Sequence, residues 1–477
     1  MSLPRMKNPL LTILVSLMFT SVTFFSLHAK VTLPAILGDH MVLQQNTDVA
    51  VWGWADPREI VTVTASWDGI AVTDTADNHA DWQVTLATPS AGGPYTITVV
   101  GQDTVVIEDV LIGEVWLASG QSNMEWSAQS GIDRAEEEVA RADRPEIRLF
   151  QVAKRSASVP QLDVSGEWVV CRPETMRHFS AVAYFFGRQL YQTLNQPIGL
   201  INSSWGGTPA ETWVAPHVIA ADYTLQQAAE RLTEVPWCPV SPGATYYSMI
   251  APLTSFPMAG VIWYQGEGNT ANAETYGQTF AALIHHWRQQ WQRDFPFYYV
   301  QIAPYRYGRP HEAALVREGQ AQALSLPHTG MVVTTDIGNP DDIHPQNKQA
   351  VGNRLARWAL HHTYGYDTLA YSGPHYQRMD VEGSSVRIYF DHAERGLRCE
   401  GEALTHFQIA GADQVFTNAE AVVQDSTVIV RADSVKDPVA VRFGWSNVAE
   451  PNLFGADGLP AAPFRTDRWP VHLTERE

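Results

Sequence analysis

Between about Val110 and Tyr364 the chain alternates apolar strand-length segments with amphipathic ones, and this alternation restricts the fold more than any other feature. The apolar segments are "EVWLAS" from Glu114, "IRLFQV" from Ile147, "IGLINS" from Ile198, "GVIWYQ" from Gly260, "FYYVQIA" from Phe297 and "GMVVTT" from Gly330. Helical spacing of apolar residues predicts helices over 181–194, 276–292 and 348–361. Strands and helices in turn predict an α/β fold, a parallel sheet covered by helices on both faces. In such a sheet, ligands bind beyond the carboxyl ends of the strands.

The flanks read differently. In the 30–108 region "VAVWGWA", "IVTVTASW", "DWQVTLAT" and "YTITVVG" carry Val, Thr and Trp at period two, with turn signals between them. That pattern predicts a β-sandwich-type region. Short strands return in the 366–477 region as "SVRIYFD", "HFQIAG", "AVVQDSTVIVRA" and "VAVRFGW". The closing "EPNLFGADGLPAAPFRTDRWP" is too rich in Pro and Gly for regular structure, yet its aromatics predict that it packs down. The expected division is therefore 1–29 as a leader, 30–108, a catalytic unit at 109–365, and 366–477.

Residues 1–29 have the form of an export signal: Arg5 and Lys7 precede an apolar run from Pro9 to Leu27, and Ala29 is small enough for a cleavage site. A periplasmic or secreted protein is expected, with no stable membrane span, since no other stretch is long and apolar enough to cross a bilayer. The net charge of −19 argues against nucleic acid or an anionic membrane as partner. Sixteen tryptophans lean toward sugar, although most indoles serve as core. Cys171, Cys238 and Cys399 have no metal-binding spacing; either one pair is bridged or all three are free. Nothing in the sequence sets an oligomeric state.

The chemistry lies at the strand ends. Ser122 follows "EVWLAS" after a turn at Gly120; Gly206 and Gly207 follow "IGLINS"; Asn269 follows "GVIWYQ"; His344 follows "GMVVTT". A serine needs a base such as histidine to take its proton, and donors for the oxyanion that forms at an ester carbonyl. Parallel strands would bring all four segments to one rim. Alone, each residue has an ordinary role as a turn or helix-cap residue; their shared placement suggests esterase chemistry. The G-x-S-x-G elbow of α/β-hydrolases is absent.

The blocks "GQSNMEW", "SSWGGTPAETW", "WYQGEGN" and "DIHPQNK", together with "MIAPL", "LVREGQ" and "LPAAPFRTDRWP", resemble those of the sialate O-acetylesterase family of SGNH hydrolases. The resemblance implies an SGNH-type sheet, Ser122 as nucleophile, His344 as base, and Asp341, three residues before it, as the carboxylate that orients the imidazole. It implies an oxyanion hole from the Ser122 amide, the amide of Gly206 or Gly207 (Gly206 preferred) and the Asn269 side chain, with no metal or cofactor. Gln121 and Glu267 are expected to brace these elements. Trp205, Trp126 and Trp263 are expected to wall a sugar pocket or to serve as core, and Arg317 to meet a substrate carboxylate or to form a structural ion pair. The expected substrate is an O-acetylated sugar. O-acetylated sialic acid is preferred, xylan or xyloglucan is the alternative, and a non-catalytic carbohydrate-binding protein is a third reading.

Overall fold

A computed structural model describes residues 30–471 and 473. The predicted leader at 1–29 lies outside the described residues. At the centre is a sheet of β1 (Thr104–Gly120), β2 (Arg144–Gln151), β3 (Trp168–Cys171), β4 (Ile198–Ser204), β5 (Gly260–Tyr264), β6 (Phe297–Val300) and β7 (Thr329–Val332). Their spatial order is β7-β6-β5-β1-β4-β2-β3. Neighbours are parallel except for the antiparallel edge strand β3. Every residue of β4, β5 and β6 is buried, as a sheet covered on both faces requires.

The covering helices are α1 (Ser122–Glu125), α2 (Ala181–Leu194), α3 (Tyr276–Trp291), α4 (Glu312–Gln322) and α5 (Lys348–His362). Successive strand residues point to opposite faces. Trp116, Leu200 and Ile262 therefore pack with α2 and α5, through Phe185, Phe186 and Leu355. Leu117, Val261 and Trp263 pack on the other side with α3 and α4, through Phe280, Leu283 and Val316. The three helices expected from spacing form within one residue of their predicted ends.

Near the N-terminus, strands alternate buried and open residues, since only one face meets a core. Ile60–Ala65, Ala71–Thr75 and Gly92–Val100 form an antiparallel set that joins the first half of β1. Asp48–Trp54 pairs with Asp81–Ala87. β1 thus runs unbroken across the 108/109 division expected from sequence, and Val61, Val99 and Ile112 share one continuous core with the catalytic sheet.

The C-terminal strands form two four-stranded sheets around a separate core that includes Val386, Ile388, Phe407, Val430 and Phe443. The Pro- and Gly-rich tail is more regular than expected. Leu453–Gly455 pairs with Leu397–Cys399, and Phe464–Arg465 closes the sheet edge at Ala440–Phe443. Among the described residues no helix is long and apolar enough to cross a membrane. Cys171 and Cys238 are buried, Cys399 is half-buried, and all three are free thiols.

Candidate active site

β1 ends at Gly120, in register with Ser204 of β4 and Tyr264 of β5. Gly120 has φ +132°, and a Cβ there would sit 2.2 Å from the Tyr264 carbonyl oxygen, so only glycine lets the chain turn this tightly. The Trp205 amide donates to the Gly120 carbonyl (3.0 Å) and the Gln121 amide to the Tyr264 carbonyl (3.0 Å), tying three strand ends together. Ser122 opens α1 directly after this turn.

Ser122 Oγ and His344 Nε2 lie 2.9 Å apart. The two residues are 222 positions apart in sequence and meet because both follow strands of one parallel sheet. The imidazole stacks on Trp126, with centroids 4.0 Å apart and planes 14° from parallel. Trp126 is fixed in turn by its indole N–H donating to the Gly131 carbonyl (2.7 Å). It therefore packs on the histidine, whereas sequence placed it in a sugar pocket or in the core. Burial, then the nearby Lys348 charge, hold the His344 pKa below its usual value, while Asp342 and Glu125 act in the opposite sense. A histidine so placed is mostly neutral at pH 7 and able to accept a proton.

The orienting acid differs from expectation. The Asp341 carboxylate is exposed and pairs with Arg306 Nε at 2.7 Å, away from His344. Asp342 is the carboxylate beside the imidazole, but its Oδ1 is 3.9 Å from Nδ1, too long for a hydrogen bond. It instead accepts the backbone N–H of His344 at 2.9 Å, an Asx-type turn that fixes the main chain beneath the ring. Two adjacent aspartates in a tight turn must point in different directions, so only one of them can face the histidine.

Two of the expected oxyanion donors have other partners. The Gly206 amide donates to Glu125 Oε2 (2.8 Å), and Glu125 also pairs with Lys154. A Cβ on Gly206 would lie 3.2 Å from Ser122 Cβ, so this turn closely faces Ser122. Asn269 is fully buried with both side-chain N–H groups committed, to Glu211 Oε2 (2.8 Å) and Asn272 Oδ1 (3.0 Å). Its oxygen accepts from Gln265 and from the Ala210 amide. This network holds the block-bearing loops together and turns the Asn269 amide away from the oxyanion role expected of it.

Gln121 links the Ser122 turn to the loop after β5: its Oε1 accepts from the amides of Gly266 (3.3 Å) and Gly268 (3.0 Å). Glu267 belongs to a sealed layer beneath Ser122. Asn123 Nδ2 donates to Glu267 Oε1 (2.6 Å) and to the Ile343 carbonyl (3.0 Å), and Lys348 Nζ donates to Asn123 Oδ1 (2.5 Å). Burial raises the Glu267 pKa and brings that of Lys348 down to about 7. Asn123 thus clamps the Ser122 turn to the residue before His344.

Arg317 is 1% exposed, far from a substrate role. Its guanidinium donates to the carbonyls of Ile302 (2.9 Å), Ser446 (2.8 Å) and Asn447 (3.1 Å), docking the C-terminal region onto α4. Burial lowers its pKa to about 10. Trp263 is core, packed edge-on against Trp213 and Trp287. Trp205 is half-buried, and its indole donates to the Trp237 carbonyl (3.0 Å). Among the described residues no cluster of His, Cys, Asp and Glu could hold a metal ion.

Sequence reasoning missed Asn123, Lys348, Glu125 and Glu211. The first three lie in or beside the quoted blocks "GQSNMEW" and "DIHPQNK", but a partnership such as Asn123 with Lys348, 225 residues apart, leaves no local mark. Glu211, a buried acid in "TPAETW", reads as an ordinary surface glutamate until the fold closes over it.

The profile of a carbohydrate esterase family, the sialic acid-specific acetylesterases, matches residues 112–361. The human sialate O-acetylesterase is 30% identical over 91% of this chain and 93% of its own length. The rat sialate O-acetylesterase is 33% identical over 71% and 74%, respectively. A carbohydrate acetylesterase from Xanthomonas citri superposes with a TM-score of 0.85 at 41% identity, covering 92% of this chain and all of that one. A match over the catalytic sheet and nearly the whole described chain leaves one assignment: the chain belongs to the sialic acid-specific acetylesterase family of carbohydrate esterases and is a carboxylic-ester hydrolase.

Proposed function

We propose that this carbohydrate acetylesterase releases acetate through an acetyl-enzyme on Ser122. The observation that carries the reading is the 2.9 Å contact between Ser122 Oγ and His344 Nε2 at the carboxyl end of β1. His344, held neutral, takes the hydroxyl proton as Oγ attacks the acetyl carbonyl. The oxyanion is received by the amides of Ser122 and Gly207, the glycine left once Gly206 is bonded to Glu125. A donor of this kind is worth roughly 3–4 kcal/mol in the transition state. As the bond from the acetyl carbon to the sugar oxygen breaks, the imidazolium gives that oxygen its proton, and water, activated by the same histidine, then hydrolyses the acetyl-serine. The face of Trp126 supports the imidazolium, a cation–π contact worth about 0.5–2 kcal/mol.

The leader pattern at 1–29 supports export, which would put the enzyme where extracellular glycans are met. A second reading of the substrate, O-acetylated sialic acid, follows the names of the mammalian relatives. Arg317 offers it no support, because that guanidinium is spent on buried carbonyls. The test is acetate release from 9-O-acetylated sialic acid and acetylated xylo-oligosaccharide, with Ser122→Ala as control. Ser122-dependent release from either supports the reading; release that survives the substitution, or none from any acetylated sugar, overturns it.

A further inference from the structure

The turn that faces Ser122 leads directly to a second feature. Gly207 has φ +84°, and a Cβ there would lie 2.8 Å from Trp237 Nε1 and 3.1 Å from Cys238 Sγ. The Trp237 indole therefore lies against the glycine next to Gly206, which itself closely approaches the nucleophile. Trp237 occupies a tight turn whose ends, Val235 and Cys238, are joined by an antiparallel bridge. Its carbonyl is anchored by the Trp205 indole. The backbone is thus held, yet the side chain is 64% exposed. An exposed indole on a held backbone beside the turn that faces Ser122 offers a flat apolar surface on which a sugar ring can stack.

Behind this turn lies a cleft of about 640 Å³, bounded among others by Ser158, Glu234, Val235, Cys238, Ser241 and Tyr247. Its size falls in the range of about 300–1,000 Å³ typical of ligand sites. Its lining includes serine and tyrosine hydroxyls together with Ala, Val and Pro side chains. Among the described residues that line it, Glu234 is the one charged side chain, and its charge is negative. Such a wall disfavours a sugar carboxylate and suits the hydroxyls and C–H faces of an uncharged pyranose, whose flat side stacks on an indole.

We infer that Trp237 and the cleft behind it form a subsite for an uncharged sugar residue flanking the acetylated one, so that the enzyme acts on O-acetylated neutral oligosaccharides in preference to single sugars. This rests on the acetylesterase reading above. Gly206 faces Ser122, Gly207 faces Trp237 and Cys238, and Cys238 lines the cleft, so the proposed subsite neighbours the reaction centre. Tyr247 and the serines at the far wall would receive the remainder of the glycan.

The test compares O-acetylated xylose, glucose and mannose with their O-acetylated β-1,4-linked trisaccharides, and with O-acetylated sialic acid. At least one trisaccharide should exceed its monosaccharide tenfold or more in kcat/KM, mainly through KM. Trp237→Ala should erase that excess, as should Ser241→Trp, which fills the cleft. No excess for any trisaccharide, an excess that survives both substitutions, or higher kcat/KM for sialic acid than for every trisaccharide would overturn the inference. Calorimetry with the Ser122→Ala protein and the three unacetylated trisaccharides reads the subsite independently of turnover. Binding that is lost on adding Trp237→Ala supports it, and binding that is absent or unaffected refutes it. Acetate release that persists in Ser122→Ala would instead defeat the esterase assignment.

Discussion

The Ser122 turn has two sides, and they are built on opposite principles. On the open side, Ser122 and His344 share one hydrogen bond, and the imidazole is half-buried against Trp126. On the sealed side, Asn123, Glu267 and Lys348 are buried and joined by short hydrogen bonds, one of them reaching the backbone of Ile343. The reacting groups are held by little that would resist their motion. The backbone that carries them is held by a buried polar network whose loss would leave the Asn123 amide and the Lys348 amine unmet. Side chains that must exchange protons and move by tenths of an ångström belong on the first side; groups that set where those side chains start belong on the second.

The sharpest break in this comparison is Ser122→Ala. Removing Oγ should reduce acetate release by roughly 10⁴–10⁶-fold while leaving the melting temperature close to that of the native enzyme, since no buried group loses a partner. His344→Ala should cost nearly as much, and the double variant little more, because the pair acts as a unit. A double variant whose loss is the product of the two single losses would show that serine and histidine do not act together. Trp126→Ala comes next. It removes the face on which the imidazolium rests, so kcat should fall by about 2–30-fold, equivalent to about 0.5–2 kcal/mol, with KM less affected. A change in KM alone would return Trp126 to the sugar pocket.

On the sealed side, Lys348→Met should act through stability and pH together. Asn123 Oδ1 would lose its donor, at a cost of about 1–3 kcal/mol measurable by denaturant unfolding. The Lys348 charge also lowers the His344 pKa. Because the base must be neutral, activity in the native enzyme should rise with pH through a value below the usual histidine range and then level off. With Lys348 gone that acid limb should move to higher pH. An unmoved limb would show that the sealed layer is mechanical only.

Much of this was legible in sequence, and for a reason specific to parallel sheets. Continuous apolar runs such as "IGLINS" mark strands buried on both faces, and the residues after such runs must gather at one rim, so Ser122 and His344 could be paired without knowing the strand order. The alternating segments before Glu108 likewise announced one wet face. What could not be read was the choice among equivalent groups. Asp341 or Asp342, Gly206 or Gly207, and Arg317 as ligand or rivet each depend on a partner distant in sequence: Arg306, Glu125 and the Ser446–Asn447 carbonyls, respectively. The division expected at residue 108 falls inside the strand Thr104–Gly120, because a strand shared by two regions changes its pattern without changing its course.

The smallest expected effects are the most discriminating. Asp341→Asn removes an exposed ion pair with Arg306, so stability should be nearly unchanged and kcat should stay within about twofold. Asp342→Asn keeps an oxygen for the His344 amide but removes a charge that raises the His344 pKa. Its acid limb should therefore move to lower pH, opposite to that of Lys348→Met, with kcat down by about tenfold at most, the worth of one hydrogen bond of about 1 kcal/mol. A carboxylate that fixed the tautomer directly would cost about 10⁴-fold when replaced by an amide. A loss of that size in Asp342→Asn would mean that Oδ1 closes its 3.9 Å gap to Nδ1 during turnover, and the open side would then be as firmly tied as the sealed one. A similar loss in Asp341→Asn would require the turn to reverse, which the Arg306 pair and the Asx turn of Asp342 both oppose.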